Sequence, residues 1–358
     1  MKKILTLTIC LAIAANAAAQ NVGDLLGILL GVVTGSVAGT STSNEAMVGL
    51  HQRDLATWSI VPANYSGITP LGDGRYAVVS DKGSADGFYV WKISQDQETG
   101  EIISVKDEGF FANKVDASSK RDCEGIAYFP KSGCVFISGE GDGRIIEYDM
   151  EGQRTGRELW IPEQFKSAVG NQGLEALGYG GKGAKVRFWT TTETALPADG
   201  VAAGPKNPGG ENLLRLQSFK KNLLPAKQFL YKMDSGRSSD FGNTYVFGVP
   251  EVCALPDGRV LVLEREANIP AEYIGADVKC KIYSVKPKGQ KPLDKELVAE
   301  WTTSLSLTSG IAWANYEGMC LGTKLSDGRQ TLLLVSDSQG GYGKGPFTLK
   351  DFIKVIIL

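Results

Sequence analysis

Histidine is almost absent from this sequence of 358 residues, which excludes the chemistries that depend on it. His51 is the only histidine, and it precedes the repeated units described below. We therefore expect neither a Ser–His–Asp triad nor a zinc site built on several histidines. The sequence also lacks a Gly-x-Ser-x-Gly nucleophile elbow. We interpret His51 as a solvated linker residue.

The chain also lacks a large excess of either acidic or basic residues. The chain has 38 basic and 40 acidic side chains, for a net charge of −2. Nucleic-acid-binding domains usually carry a basic excess, so no nucleic-acid partner is expected. No segment shows a sustained helical period of apolar residues, which argues against an architecture of alternating strands and helices.

Cysteine is scarce, and no C-x-x-C spacing occurs, so the sequence does not predict a thiolate zinc site. Cys10 lies in an apolar N-terminal stretch. The remaining five are Cys123, Cys134, Cys253, Cys280 and Cys320. Five cysteines cannot all form disulfides with one another, so at least one thiol would stay free, and the sequence does not determine which cysteines pair. Cys123 and Cys134 flank a predicted hairpin and form one candidate disulfide.

Residues 1–20 have the pattern of a secretory signal peptide. Lys2 and Lys3 are followed by the apolar stretch Ile4–Ala15 and by small residues before Gln20. We therefore expect an exported protein that is periplasmic, cell-surface or secreted. Residues 21–46 form a Gly-rich apolar lead-in, and residues 47–358 the predicted folded domain. The stretch at 22–40 is either a flexible linker, which we favour, or a segment that associates with a membrane or the envelope.

Glycine, in contrast, is abundant: 44 residues indicate many tight turns between short strands. Five copies of one pattern are visible. Each begins with a polar lead residue, usually followed by glycine, and contains an apolar strand, a Gly-containing turn and a second strand that ends in a carboxylate. The lead residues are Ser66, Glu124, Glu175, Glu251 and Glu317. The carboxylates that end the second strands are Asp81, Glu140, Glu193, Glu264 and Asp337.

Further strand-like runs between the copies give four strands per unit, which predicts an all-β fold, a β-propeller with four-stranded blades. Five repeats are readable, and the long interval between Glu175 and Glu251 leaves room for a degenerate sixth. Only one strong strand, at 352–358, follows the last copy. We expect an N-terminal strand from 54–61 to complete the final blade and close the ring, which would remove both exposed sheet edges.

The first strand of each propeller blade lines the central channel, so the lead residues and the second-strand carboxylates should meet at one mouth. Carboxylates gathered in this way either have raised pKa values or bind cations, and oxygen ligands suit Ca²⁺. The nearby basic residues Lys82, Arg121, Arg265 and Lys324 would pair with these acids or bind an anionic substrate. Alternatively, each lead Glu accepts hydrogen bonds from backbone amides of the neighbouring blade and fixes the packing.

Four segments carry a family resemblance over about residues 55–358. They are Asp122–Ala127, Asn171–Leu177, Leu261–Arg265 and Asn315–Met319. As a set they resemble the recurring motifs of the phytase-like propeller family, which is associated with esterase-like activity of phytase. The resemblance implies a propeller that hydrolyses phosphoesters or carboxylesters, by analogy with Ca²⁺-dependent propeller phytases. Ser66 in place of Glu, and Ala176 after Glu175 in place of Gly, depart from the pattern.

The leading hypothesis is therefore an exported hydrolase of small anionic esters that depends on Ca²⁺ and acts as a monomer. In this hypothesis the catalytic residues are Glu124, Glu175, Glu264 and Glu317. The substrate-binding residues are Lys82, Arg121, Arg265 and Lys324. The metal ligands are Asp81, Glu140, Glu193, Glu251 and Asp337. Two alternatives stay open: a propeller lactonase or carboxylesterase, and a non-catalytic binding or scaffold protein of the envelope.

Overall fold

In the computed structural model, β-strands account for most of the ordered backbone. The structure describes residues 52–81, 83, 85–115, 121–168, 173–183, 186–306, 310–311, 313–344 and 347–358. The expected signal peptide, the lead-in at 21–46 with its apolar stretch at 22–40, His51 and Lys82 lie outside these residues. Within them, no helix is long and apolar enough to span a bilayer.

The strands form five antiparallel blades. Blade 5 takes its outermost strand, β1 (Arg53–Asp54), from the start of the described chain. Blade 1 contains β2 (Tyr65–Gly72), β3 (Arg75–Ser80), β4 (Gly87–Gln95) and β5 (Ile102–Ala112). Blade 2 contains β6 (Cys123–Phe129), β7 (Cys134–Gly139), β8 (Arg144–Tyr148) and β9 (Arg154–Glu158). Blade 3 contains β10 (Leu174–Gly180), β11 (Arg187–Thr192), β12 (Glu211–Phe219) and β13 (Pro225–Ser235).

Blade 4 contains β14 (Thr244–Ala254), β15 (Val260–Ile269), β16 (Asp277–Val285), β17 (Lys295–Ser306) and the two-residue β18 (Gly310–Ile311). Blade 5 contains β19 (Asn315–Lys324) and β20 (Gln330–Asp337), then β23 (Phe352–Ile357) and β1. A small separate hairpin pairs β21 (Gly343–Lys344) with β22 (Phe347–Thr348). Two 3-10 helices, Leu55–Trp58 and Glu163–Ser167, complete the described elements.

The all-β propeller predicted from the repeat is confirmed, with five blades. The innermost strands contact one another in the order β2, β6, β10, β14, β19 and back to β2, which closes the ring. The sixth blade is absent from the described chain because the long interval after Glu175 forms the extended strands β12 and β13 of blade 3 and their connections.

An N-terminal strand closes the last blade, as predicted. In β1, Arg53 lies opposite Ile353 and Asp54 opposite Phe352 of β23. The strand is shorter than the expected 54–61 because the Asp54 side chain accepts a hydrogen bond from the Ala56 amide at 2.9 Å. This contact caps the 3-10 helix that begins at Leu55, and so it ends the extended backbone.

The hydrophobic core lies between neighbouring blades. Between blades 5 and 1, Leu333 and Ile353 pack with Tyr65 and Trp91, whose rings meet edge to face at 4.6 Å. Fully burying side chains of this size contributes about 1.5–3 kcal/mol each. In the outer strands, buried and exposed side chains alternate. In β5, for example, Ile102 is buried and Ile103 is exposed. The core therefore holds the inner hairpins rigidly around the channel.

All five innermost strands have a break in strand register near their lead residue. In β2, β10 and β19 the unpaired residue is the lead itself: Ser66, Glu175 and Glu317. In β6 the break covers Glu124 and Gly125. In β14 it falls earlier, between Gly248 and Glu251, so that Glu251 stays paired with Leu263. A bulge changes the direction in which its side chain points. The lead Glu of blade 4 should therefore point in a different direction from the lead residues of the other blades.

The glycine after Glu124 lets two innermost strands approach closely. A Cβ atom on Gly125 would lie 2.5 Å from the carbonyl oxygen of Glu175 and 2.7 Å from the amide nitrogen of Leu177. We therefore expect Gly125→Ala to lower the free energy of unfolding by about 1–3 kcal/mol, the usual cost of overpacking. Gly204→Ala is the matched control, because its nearest neighbour would be a Tyr245 ring carbon at 3.7 Å. Urea unfolding measures both variants, and equal midpoints would contradict this account.

The candidate disulfide between Cys123 and Cys134 is wrong. Cys123 lies opposite Gly139, whereas Cys134 lies opposite Phe129 at the other end of the same hairpin. Two residues at opposite ends of a strand pair are too far apart to bridge. All five cysteines of the described chain are free thiols.

Candidate functional site

Among the residues that the structure describes, seven carboxylates and a single basic side chain line a cavity of about 230 Å³ at one end of the central channel. The carboxylates belong to Asp81, Asp122, Glu124, Glu140, Glu175, Glu193 and Glu317. The basic residue is Arg265. The longer inner hairpin of blade 4 adds an apolar wall that includes Val246, Ala267 and Ile269. One guanidinium cannot neutralise seven carboxylates, so the cavity favours either protons or added cations.

Two trios of carboxylates come close enough to hold a metal ion together. In one, oxygens of Asp81, Asp122 and Glu124 lie within 4.8 Å of one another. In the other, oxygens of Glu124, Glu140 and Glu175 also lie within 4.8 Å of one another. Glu124 belongs to both trios, so it is the central side chain of the acidic cluster.

Burial raises the pKa values of several acids in this cavity. Desolvation raises the pKa of Glu124 well above its usual value, and the nearby Glu317 and Asp81 raise it further. Desolvation likewise raises the pKa of Glu175 well above normal, with Glu124 as the next contributor. The pKa of Glu140 is also raised by desolvation, although the Gly173 amide, 2.8 Å from its Oε1, opposes this increase. A bound cation would offset the cost of burial by stabilising the charged forms.

Arg265 and Glu193 form the buried ion pair of the cavity. Nη2 of Arg265 lies 2.6 Å from Oε1 of Glu193 and 3.5 Å from Oε1 of Glu317. Desolvation raises the pKa of Glu193, and the charge of Arg265 opposes that increase. Gly248 makes room for the Glu193 side chain, because a Cβ atom there would lie 2.3 Å from its Cγ. The pair fixes both side chains at the wall.

Glu317 is held in one orientation by two hydrogen bonds. Nδ2 of Asn315 donates to its Oε1 at 2.7 Å, and the hydroxyl of Ser66 donates to its Oε2 at 3.3 Å. Asn315 is buried and lines the cavity, and its Oδ1 has no hydrogen-bond partner in the described structure. A buried amide oxygen without a donor in this cavity is a further hard oxygen of the kind that Ca²⁺ prefers.

The sequence reasoning missed Asp122, although a signal for it was present. Asp122 lies two residues before the lead Glu124, at the position that Asn64 and Asn315 hold in their own repeats. Its backbone is left-handed, with φ of 55°, which is uncommon outside glycine. A polar residue therefore recurs two positions before the lead. Asn64 has a structural role, because its Oδ1 accepts hydrogen bonds from the Ser338 hydroxyl and from the Gly340 amide in the loop after β20.

Glu251 was predicted as a metal ligand, but the structure places it outside the cavity. Its Oε1 accepts hydrogen bonds from the amides of Leu177 in blade 3, at 2.8 Å, and Val252, at 2.9 Å. This is the packing role that the sequence left open for the lead residues. The cause is the register break in β14, which comes before Glu251 rather than at it. Desolvation raises the pKa of Glu251 well above normal.

Glu264 and Asp337 are also not brought into the cavity. Glu264 lies between blades 3 and 4, where its Oε1 accepts from the Tyr231 hydroxyl at 2.6 Å and from Lys295 at 2.8 Å. Because side chains alternate along β15, its neighbour Arg265 is the residue that reaches the cavity. Asp337 is fully buried and accepts from the backbone amide of Gln339 at 2.6 Å, so it shapes the following loop.

Of the basic residues predicted to bind substrate, Arg265 alone lines the cavity among those that the structure describes. Arg121 is buried and donates from Nε and Nη2 to both oxygens of Asp142, at 2.7 and 3.1 Å. Lys324 is exposed at the far end of β19, roughly 23 Å along the strand from Glu317 at about 3.3 Å per residue. Lys82 lies outside the described residues.

Comparison with known families and structures gives one sequence match. Residues 63–339 match the phytase-like family model, which is described as esterase-like activity of phytase. No curated protein sequence matches the chain.

The chain also has a distant similarity to solved structures. A streptogramin B lyase is 13% identical, with a TM-score of 0.36 over 89% of this chain and 100% of that one. A catalytically inactive virginiamycin B lyase from Staphylococcus aureus with quinupristin is 11% identical, with a TM-score of 0.34 over 86% and 98%. The tail fibre of Staphylococcus aureus phage P68 is 14% identical, with a TM-score of 0.37 over 88% and 53%. At these identities and scores, none of the three bears on the chemistry of this chain.

Proposed function

The chain belongs to the phytase-like family, and from this premise we propose that it is an exported, metal-dependent hydrolase of phosphoesters or related esters. The observation that carries the proposal is the pair of carboxylate trios that share Glu124 inside one buried cavity. The pattern of residues 1–20 supports export. A monomer acting on a small anionic ester remains our expectation.

The donor set of the cavity fits a hard divalent cation, with Ca²⁺ as the leading candidate. Asp81, Asp122, Glu124, Glu140 and Glu175 would hold it, because they form the two trios. All of these ligands are oxygens, which is the preference of Ca²⁺ and Mg²⁺ rather than of zinc or copper. When bound, such a cation neutralises an anionic substrate and lowers the pKa of a coordinated water.

The remaining cavity residues supply orientation and proton transfer. The guanidinium of Arg265, fixed by Glu193, places a positive charge at the wall against an anionic ester. Glu317 belongs to neither trio and is held in one orientation by Asn315 and Ser66. We assign it the role of a general base that accepts a proton from the attacking water. The apolar wall from blade 4 excludes bulk water and strengthens these interactions.

Phosphate release from p-nitrophenyl phosphate and from phytate tests this proposal. With Ca²⁺ present we expect release, and after chelation we expect a loss of about 100-fold or more, as when a main electrostatic stabiliser is removed. Adding Ca²⁺ back should restore the rate.

The matched control for this assay is Lys324→Ala, because Lys324 is exposed and far from the cavity. It should keep the rate within about twofold, as expected for a surface substitution away from the site. A rate that is indifferent to chelation, or no release with any divalent cation, would contradict the proposal.

A carboxylesterase or lactonase is the second candidate, and the charge of the cavity favours it. Seven carboxylates against one guanidinium repel a doubly charged phosphate unless cations intervene, whereas an uncharged ester avoids that repulsion. Hydrolysis of p-nitrophenyl acetate or a lactone, without phosphate release from either phosphoester, would select this alternative.

A further inference from the structure

A second, larger cavity opens beside the acidic one. It is a cleft of about 1090 Å³ between blades 2 and 3. One wall comes from the turn at Gly141–Gly143 and the end of β9, and the other from the turn at Asn222–Leu224. Glu140 lines both the cleft and the acidic cavity, so the two spaces adjoin at this residue.

Trp160 is the most unusual side chain of the cleft. All six tryptophans lie within the described chain, and Trp160 alone among them is exposed, with 69% of its surface accessible. Its backbone amide donates to the carbonyl of Leu223 at 3.1 Å, which fixes this part of the chain against blade 3. Leu224, 41% exposed, lines the same cleft. An exposed indole in a concave surface is suited to stack against a flat ring.

The charged side chains of the cleft are already paired with one another or with neighbours. Arg144 pairs with Glu158 at 2.6 Å and Lys166 with Glu163 at 2.7 Å. Arg157 pairs with Glu147 at 3.1 Å, and Asp142 with the buried Arg121 at 2.7 Å. The charges of these four pairs are therefore balanced, and Trp160 and Leu224 give the described part of the cleft an exposed apolar surface that suits a group with a planar apolar face.

The two volumes differ in the size of the group that each can hold. Ligand pockets usually measure about 300–1,000 Å³, so the acidic cavity is small for a whole substrate and the cleft is slightly larger than the range. We infer that the cleft binds the alcohol portion of the ester, that this portion carries a planar aromatic ring, and that the ring stacks on Trp160 while the reacting group occupies the acidic cavity. This inference rests on the proposed hydrolase function.

Binding of two non-hydrolysable analogues tests the inference without requiring turnover. 2-Naphthylmethylphosphonate carries a ring and an anionic head, and methylphosphonate carries the head alone. Both would be titrated calorimetrically into the full chain with Ca²⁺ present. The wild type should bind the naphthyl compound more tightly. Trp160→Ala should weaken that binding about three- to tenfold, the worth of one aromatic contact, and leave methylphosphonate unchanged.

Two further variants separate stacking from general effects. Trp160→Phe keeps a ring and should retain most of the naphthyl affinity. Ile103→Ala removes an apolar side chain that is 60% exposed on blade 1, and it should change neither titration. Failure of the wild type to bind the naphthyl compound, or an equal affinity in Trp160→Ala, would overturn the inference. A Trp160-dependent naphthyl affinity in a protein that hydrolyses no ester would keep the cleft site and reject the proposed function.

Discussion

Glu124→Gln should abolish cation-dependent ester hydrolysis, with a loss of about 100-fold or more in kcat/KM. Glu124 is the one carboxylate shared by both trios, so the substitution removes a ligand from each of them at once. The same change should stabilise the cation-free protein at neutral pH, because it removes a buried acid whose pKa is raised by desolvation and by Glu317. Loss of function with a gain of stability separates a functional carboxylate from a packing residue.

Glu264→Gln is the matched control for this experiment. Glu264 is also buried and was a catalytic candidate in the sequence, but its side chain accepts hydrogen bonds from Tyr231 and Lys295 between two blades. Weakening this pair should lower the melting temperature and leave the cation-dependent rate within about threefold, since the residue is outside the cavity. Equal losses of activity in the two variants would contradict the assignment of Glu124.

The cation-free protein should become less stable as the pH rises from about 5 to 8. Desolvation raises the folded-state pKa of Glu124, Glu175 and Glu193 above the unfolded value. In that pH window the folded protein therefore binds more protons than the unfolded chain, and the free energy of unfolding falls as pH increases. Because several acids share this direction of shift, the decrease should appear as a lower Tm at pH 8 than at pH 5.

Thermal unfolding followed by circular dichroism, with and without Ca²⁺, measures this dependence. Ca²⁺ should raise Tm most at pH 8, where the acids are ionised in the bound form, and least at pH 5. In Glu124→Gln the cation-free curve should be flatter, because one of the titrating groups is gone. If the Tm of the cation-free protein instead increases steadily from pH 5 to 8, the cavity acids do not determine how stability depends on pH.

The repeat in the sequence predicted the blades and most of the acidic cluster. Gly-rich turns between apolar runs specify inner hairpins, and lead residues spaced one blade apart must meet at the channel. Glu124, Glu175 and Glu317, with Asp81, Glu140 and Glu193 from the second strands, accordingly line one cavity. Within a blade the two acids meet because the start of one strand and the end of its antiparallel partner lie at the same edge. Acids of different blades meet because the innermost strands close into a ring.

The remaining positions depend on register and on long-range pairing, which the repeat does not specify. A bulge that comes before Glu251 rather than at it sends this side chain into the amides of a neighbouring blade. Arg121 pairs with Asp142, an acid of its own blade outside the repeat pattern. The position of Lys324 at the far end of β19 follows from strand direction and could have been predicted.

Calcium binding to the purified, chelator-stripped protein tests the central claim most directly. Equilibrium dialysis should show binding of Ca²⁺ by the wild type and by Glu264→Gln, and a loss of about tenfold or more in affinity for Glu124→Gln, as for removal of a ligand or its close support. If the wild type binds no calcium or other divalent cation, or if Glu124→Gln binds it as tightly, the acidic cavity is not a metal centre and the account is wrong.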